Sequence, residues 1–477
     1  MCYTQKNGYI PMYPLIEINH LSTENHSEMV RIRARVFAKK DLGRVLFVVL
    51  RDGLDTLQAI VVKNKATVAD PLTPDAYNAL RKVENESFIE VIGTIQRAQS
   101  PVLSCSQKLI ELVVTDFTIL SRSVVDLPIT LKEATPTEAQ KQEAHLLPSA
   151  AFYKRLDNRV LDLRTDLSQA IFRINDGLLH ALQTQLRKQG FMEIKSPKLI
   201  GGASEGGADV FKLDYFGKTA CLTQSPQLYK QMALVGDFKR VFEIGPVFRA
   251  ENSNTHRHLT EFVGVDLEMV VDTSYMEVVR LLYQLFVDVF DTLSRTYNRE
   301  LEVVRTFFDV PQFVLAPELV VLEFKEAVAL LRAQGSTIAD LGDFTTEDEK
   351  KLGVLVKEKY GTDLYVVTRY PSNVRPFYTM PDPEDLRYSY SYDFMLRGEE
   401  ILSGAQRIHD YQMLCARVEA LKIDKTSLAH YLEAFTYGAP PHAGAGIGLE
   451  RVLKYFLGLP DIRYCNLFPR DPKRLYP

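Results

Sequence analysis

Five β-rich runs crowded into the first 120 residues, two later hairpins with charged faces, and helical apolar spacings around them predict an α+β chain. The expected plan is a small five-stranded barrel followed by a larger domain on a mainly antiparallel sheet flanked by helices. With 477 residues there is length for two or three domains, each with ample core. The 46% hydrophobic and 25% charged content is that of an ordinary soluble globular protein. Lys and Arg number 57 against 61 Asp and Glu, and the net charge of −4 excludes a uniformly basic surface. Any nucleic-acid contact must then come from local patches. The five cysteines are scattered, with no CxxC pair and no histidine at metal spacing, and read as free thiols packed as small apolar residues. No apolar run reaches a membrane span and no signal peptide opens the chain, so no membrane partner and a cytoplasmic address are expected.

Residues 1–24 show no period and read as an arm. From Met29, Val30, Ile32, Ala34 and Val36 alternate with Arg31, Arg33 and Arg35, which gives a strand with an apolar face and a row of guanidinium groups. Further strands are expected at Val45 to Leu50, Leu57 to Val62, Phe88 to Ile95 and Leu109 to Phe117, with a turn at Asp52-Gly53. Five strands over residues 25–120 suit a closed barrel such as the OB-fold, a frequent binder of single-stranded nucleic acid. Phe47 lies in a run apolar on both faces and reads from the residues alone as barrel core, whereas Gln58 is undecided.

Across 121–160 the periodicity fades among Pro128, Pro136 and Pro148, as in a hinge before a second domain at 161–477. That domain opens with a helix whose Ile171, Ile174, Leu178, Leu182 and Leu186 recur every three or four residues. Gly190 stops it, and Phe191 to Pro197 form an extended exit. A loop of four glycines around Ser204 and Glu205 has the composition of a lid or of a plain flexible connection. Ser225-Pro226 then starts a helix that places Gln227 and Lys230 on one face.

Val247 to Met269 reads as a hairpin: a strand ending at Glu251, a polar loop holding His256, Arg257 and His258, and a strand returning from Glu261. Val263, Val265, Leu267 and Met269 form its apolar side, while Phe262, Gly264, Asp266 and Glu268 lie on the other, with Arg249 and Glu251 sharing a face. A glycine amid carboxylates in a strand interior implies a close approach to the backbone, and the partner expected there is flat and charged.

Residues from about 300 to 385 look like a largely helical insertion without identifiable chemistry. Strands return at Tyr388, and an Arg397-Gly398 turn pairs residue 395 with 400. Asp393 and Glu400 then become diagonal neighbours, roughly 7 Å apart, within reach of one hard cation. Finally, Gly444 to Gly448 reads as a glycine-rich turn into a helix, of the kind that approaches phosphates, with Arg451 one turn in.

Three of these elements, the segment Gly190 to Pro197, the Arg249 hairpin and the glycine run ending at Arg451, resemble the three signature motifs of class II aminoacyl-tRNA synthetases. The N-terminal barrel is that of the aspartate, asparagine and lysine subgroup. The strings SEGGADVF, QSPQLYKQ, FRAENSNTHRHLTEF, RGEEILSGAQRIHD and GAGIGLERV are similar to its aspartate branch of the eukaryotic and archaeal cytoplasmic type. The resemblance implies ATP-dependent activation of aspartate and its transfer to tRNA. It allots Arg249 to the α-phosphate, Glu251 to the adenine amino group, and Phe262 and Arg451 to the two faces of adenine. His258 takes the γ-phosphate, Arg257 and Gly448 belong to the ATP site, and Glu400 with Asp393 holds magnesium. Gln227 and Asp266 take the amino-acid ammonium, Lys230 and Arg407 clamp its side-chain carboxylate, and Ser204, Glu205 and Ser403 complete the aspartate site. Arg249, Arg451 and Glu400 carry the catalysis. Phe47 and Gln58 match anticodon-reading positions, and Gly190 to Pro197 matches a homodimer interface. An asparagine-specific relative is disfavoured because Lys230 would lose its partner against a neutral amide.

Overall fold

The computed structural model describes residues 13–63, 73–134, 150–202, 210–308 and 312–476. The chain separates into two compact units, one holding the barrel and the segment up to Gln169, the other running from Ala170 onward. The stretch 161–169, expected to open the second domain, therefore groups with the barrel.

In the first unit, β1 (Met29–Asp41), β2 (Val45–Asp52), β3 (Asp55–Val62), β4 (Phe88–Arg97) and β5 (Ile110–Ser121) close into a barrel in the order β1-β2-β3-β5-β4. Alternation decides what it encloses: Val30, Ile32, Ala34 and Val36, then Leu46, Val48 and Leu50, then Leu57, Ala59 and Val61 form its core. The guanidinium row of β1 lies on the opposite face, where Arg31 and Arg33 share Glu90 at 3.5 and 2.8 Å. Phe47 alternates with the buried residues of β2 and is half-buried on the outer face, so the reading of Phe47 as core is corrected. In a run apolar on both faces, only the partner strands settle which parity points inward.

The second unit is built on an eight-stranded sheet. Its strands are β6 (Met192–Glu193), β10 (Arg240–Phe248), β11 (Glu261–Val270), β12 (Val321–Glu323), β13 (Leu364–Thr368), β14 (Ser391–Leu396), β15 (Glu399–Gln406) and β16 (His442–Gly448), in the order β12-β13-β14-β15-β16-β11-β10-β6. Pairing is antiparallel except at the two edges, β12 with β13 and β10 with β6. A separate small sheet joins β7 (Leu199–Ile200), β9 (Lys218–Leu222) and β8 (Lys212–Tyr215). Helix Asp166–Lys188 buries Ile171, Ile174, Leu178, Leu182 and Leu186 as its spacing requires, and Gly190 ends it at φ +79°.

Three expectations change. The region from about 300 to 385 does hold the helices Phe324–Ala333 and Thr346–Tyr360, but it also supplies β12 and β13. Burial of β13 on both faces removed the alternation that would have revealed a strand. The glycine run is no turn but the central strand β16, between β15 and β11. The strand before the polar loop stops at Phe248, three residues short of Glu251.

Helix Thr346–Tyr360 lies against the β14–β15 turn, whose Arg397 and Gly398 both take positive φ, 52° and 75°. A Cβ on Gly353 of that helix would sit 2.3 Å from the Gly398 Cα, so the contact is backbone on backbone.

Candidate active site

The register of the sheet builds the site. One row runs Asp266 on β11, Gly446 on β16, Ser403 on β15 and Asp393 on β14, each paired with the next. Over this row opens a cavity of about 280 Å³, lined among others by Gln227, Arg249, Glu251, Arg257, His258, Phe262, Asp266, Glu400, Ser403, Arg407, Gly448 and Arg451. Residues expected at the site from four separate stretches thus meet around one opening. Ser204 and Glu205 lie outside the described residues.

At one end the cavity is cationic. Arg249 reaches Glu251 at 3.7 Å and stands 5.6 Å from the centre of the Phe262 ring. Arg451 donates to the Glu400 backbone carbonyl at 3.3 Å and lies 3.6 Å from its carboxylate. Arg257 pairs with Glu349 at 2.9 Å, and burial pushes the Glu349 carboxyl up to about 7. Burial, reinforced by Arg451 and Arg257, holds the His258 ring below its ordinary value.

At the other end two cations face two carboxylates under the row. The Lys230 ammonium donates to Asp266 at 3.0 Å and to the Ala445 carbonyl at 3.0 Å, and lies 3.3 Å from Glu268. Arg407 donates to both Glu268 oxygens, at 2.9 and 3.2 Å. Lys230 is only 1% exposed, and Asp266 and Arg407 are the members of the quartet that line the cavity. Room for the Glu268 carboxylate exists because Gly444 opposes it: a Cβ there would fall 2.2 Å from the Leu267 carbonyl and 2.3 Å from Glu268. At Gly264, where the sequence led one to expect a close approach, a Cβ would meet the Asp266 carboxylate at 3.1 Å and Val247 at 3.4 Å.

Asp393 differs most from expectation. Both its oxygens are taken by Arg375, at 3.0 and 2.7 Å, and Arg375 also donates to Ser403 at 2.7 Å. Asp393 is thus paired with a guanidinium, and among the described residues no cluster of three His, Cys, Asp or Glu side chains has metal-holding geometry. The site also uses residues that sequence reasoning passed over: Arg375, Glu349, and Glu450, which accepts from the Val263 N–H at 3.1 Å. Nothing in the spacing of Glu349 or Arg375 announces partners 92 and 18 residues away. On the barrel, Phe47 pairs with Ile60 and Gln58 with Val49, and Gln58 donates to Glu111, so both residues belong to one outer face.

A charged cavity over an antiparallel sheet, with one arginine on the hairpin loop after β10 and another on the helix after β16, is the frame of an adenylate-forming tRNA synthetase. The chain belongs to that class: residues 152–472 match the family "tRNA synthetases class II (D, K and N)", and residues 30–120 match an OB-fold nucleic acid binding domain. Cytoplasmic aspartate–tRNA ligases are among its relatives. It is 44% identical over 467 residues to the cytoplasmic aspartate–tRNA ligase of Caenorhabditis elegans, covering 97% of this chain and 87% of that protein. To the cytoplasmic aspartate–tRNA ligase of Homo sapiens it is 45% identical over 463 residues, 97% and 91% covered. The aspartyl-tRNA synthetase of Entamoeba histolytica superposes with a TM-score of 0.89 at 40% identity, covering 100% of this chain and 96% of that one. The asparaginyl-tRNA synthetase of Pyrococcus horikoshii, complexed with asparaginyl-adenylate, gives 0.82 at 28% identity, covering 97% and 99%.

Proposed function

We propose that the protein is an aspartate–tRNA ligase: it joins L-aspartate to ATP with release of pyrophosphate, then passes the aspartyl group to the 3′ end of tRNA. The observation that carries the aspartate assignment is the Lys230, Arg407, Asp266, Glu268 quartet beside the cavity. Alternating charges of this kind suit a ligand that brings an ammonium and a second carboxylate together: Asp266 and Gln227 receive the former, Arg407 and Lys230 the latter. A neutral amide would leave the cations without gain.

In the first step an α-carboxylate oxygen attacks the α-phosphorus and pyrophosphate departs. No nucleophilic side chain is needed; the demands are alignment and neutralisation of charge. Arg249 holds the α-phosphate, His258 and Arg257 the outer phosphates, and adenine lies between Phe262 and Arg451 with Glu251 at its amino group. The part-exposed Glu400 carboxylate would hold magnesium, with Asp393 acting through Arg375, and the ion would supply charge neutralisation on the phosphates. Phe47 and Gln58 serve the anticodon by stacking and edge recognition. Gly190 to Pro197, with Met192 and Leu199 exposed nearby, serves a homodimer. Its similarity to cytoplasmic aspartate–tRNA ligases supports a cytoplasmic address.

The deciding test is amino-acid-dependent exchange of pyrophosphate into ATP, with magnesium and without tRNA. Exchange with aspartate alone is expected. Exchange with asparagine would show the quartet misread, and exchange with neither would leave an RNA-binding protein without adenylate chemistry.

A further inference from the structure

Beneath Gln227 lies a closed chain of hydrogen bonds that no part of the reaction above uses. The Gln227 Nε2 donates to Gln231 Oε1 at 3.0 Å, and the Tyr431 hydroxyl donates to the same oxygen at 3.1 Å. Gln231 Nε2 meets His442 Nε2 at 2.9 Å, and His442 Nδ1 meets the Pro440 carbonyl at 2.7 Å. All four side chains are buried: Gln227 is 4% exposed, Tyr431 2%, and Gln231 and His442 are inaccessible.

The directions follow from the end of the chain. A backbone carbonyl only accepts, so His442 Nδ1 carries a proton. Burial disfavours a second one, which leaves Nε2 as an acceptor. Gln231 must then turn its amide nitrogen to His442 and its oxygen the other way, towards Tyr431 and Gln227. That oxygen commits the nitrogen of Gln227 inwards. The end of the Gln227 amide left for the cavity it lines is its oxygen, which is the end able to accept from an ammonium.

We propose that His442, Gln231 and Tyr431 are positioning residues that hold Gln227 with its amide oxygen towards the cavity and thereby set recognition of the amino-acid ammonium. An unconstrained glutamine would present its NH₂ half of the time, and a donor facing an ammonium is repulsive. The proposal rests on the aspartate reading above and adds that the preference for an amino group is set three side chains away from it.

The test is aspartate-dependent pyrophosphate exchange by the full chain, with succinate, which keeps both carboxylates but lacks the ammonium, as competitive inhibitor. Gln231→Met keeps length and removes both polar atoms. It is expected to raise the aspartate KM by about tenfold while leaving the succinate Ki and the ATP KM within about twofold. His442→Gln, whose oxygen accepts from Gln231, is expected to recover most of what His442→Leu loses. Should Gln231→Met fail to fold, Tyr431→Phe removes one hydroxyl and is expected to raise the aspartate KM by about threefold under the same criteria. A parallel rise of aspartate KM and succinate Ki would overturn the proposal, as would an unchanged aspartate KM. Absence of exchange in the unaltered protein would instead sink the ligase reading, and this assignment with it.

Discussion

A lysine is rarely as deeply buried as Lys230, and its environment explains why it is tolerated: two carboxylates and a carbonyl surround one ammonium. Lys230→Met strands Asp266 and leaves Glu268 to Arg407 alone, at a cost of about 3–5 kcal/mol in stability. We expect a lowered melting temperature together with loss of aspartate-dependent exchange. A variant that still prefers aspartate to asparagine would remove Lys230 from discrimination. Glu450 carries the opposite sign. Burial raises it from 4.5 to about 7, so the unfolded chain ionises this carboxyl first, and the stability present below pH 4.5 is lost as pH rises to about 7. Glu450→Gln is expected to flatten that dependence by about 3 kcal/mol, measured by urea unfolding at pH 4.5 and pH 8. Identical pH slopes in the two proteins would show that Glu450 does not set this dependence. At this scale the sequence was informative where chemistry is local. Arg249, Glu251 and Phe262 stand out because they fall within one short charged hairpin. Arg375 stays hidden because its meaning lies in Asp393, reached only by folding a loop back across the sheet.

Among the elements, β16 carries the most consequence per residue. With Gly444, Gly446 and Gly448 it has almost no side-chain surface on one face, and that emptiness admits the carboxylates of β11. Gly444→Ala drives a methyl into the Leu267 carbonyl as well as Glu268, and backbone cannot step aside. A loss on the order of 3 kcal/mol is expected, read as a lower urea midpoint at unchanged m-value. A midpoint within error of the parent would mean that β11 shifts freely. The hairpins were legible because period-two alternation survives on half-exposed strands. The β16 strand was not, because glycines carry no alternation. Helix Thr346–Tyr360 could be recognised as helical but not as part of the site. Its close backbone contact with the β14–β15 turn at Gly353 and Gly398 accompanies the Glu349–Arg257 pair.

For the whole molecule, each unit has its own core. Phe47→Ala alters the outer face of the barrel and no core contact. Charging of tRNA is expected to fall about tenfold or more through tRNA KM, with aspartate-dependent exchange and melting temperature little changed. Equal losses in both steps would place Phe47 in the structural core after all. The order of the large sheet bears on how the protein is made. Its two halves, β12 to β15 and β6 with β10 and β11, are joined by β16, a strand contributed by residues 442–448. During synthesis β11 and β15 each keep an unpaired edge until that strand has cleared the ribosome, so the ATP cavity closes only when nearly the whole chain exists. A product released before residue 440 carries two open sheet edges, and such edges invite aggregation or capture by chaperones.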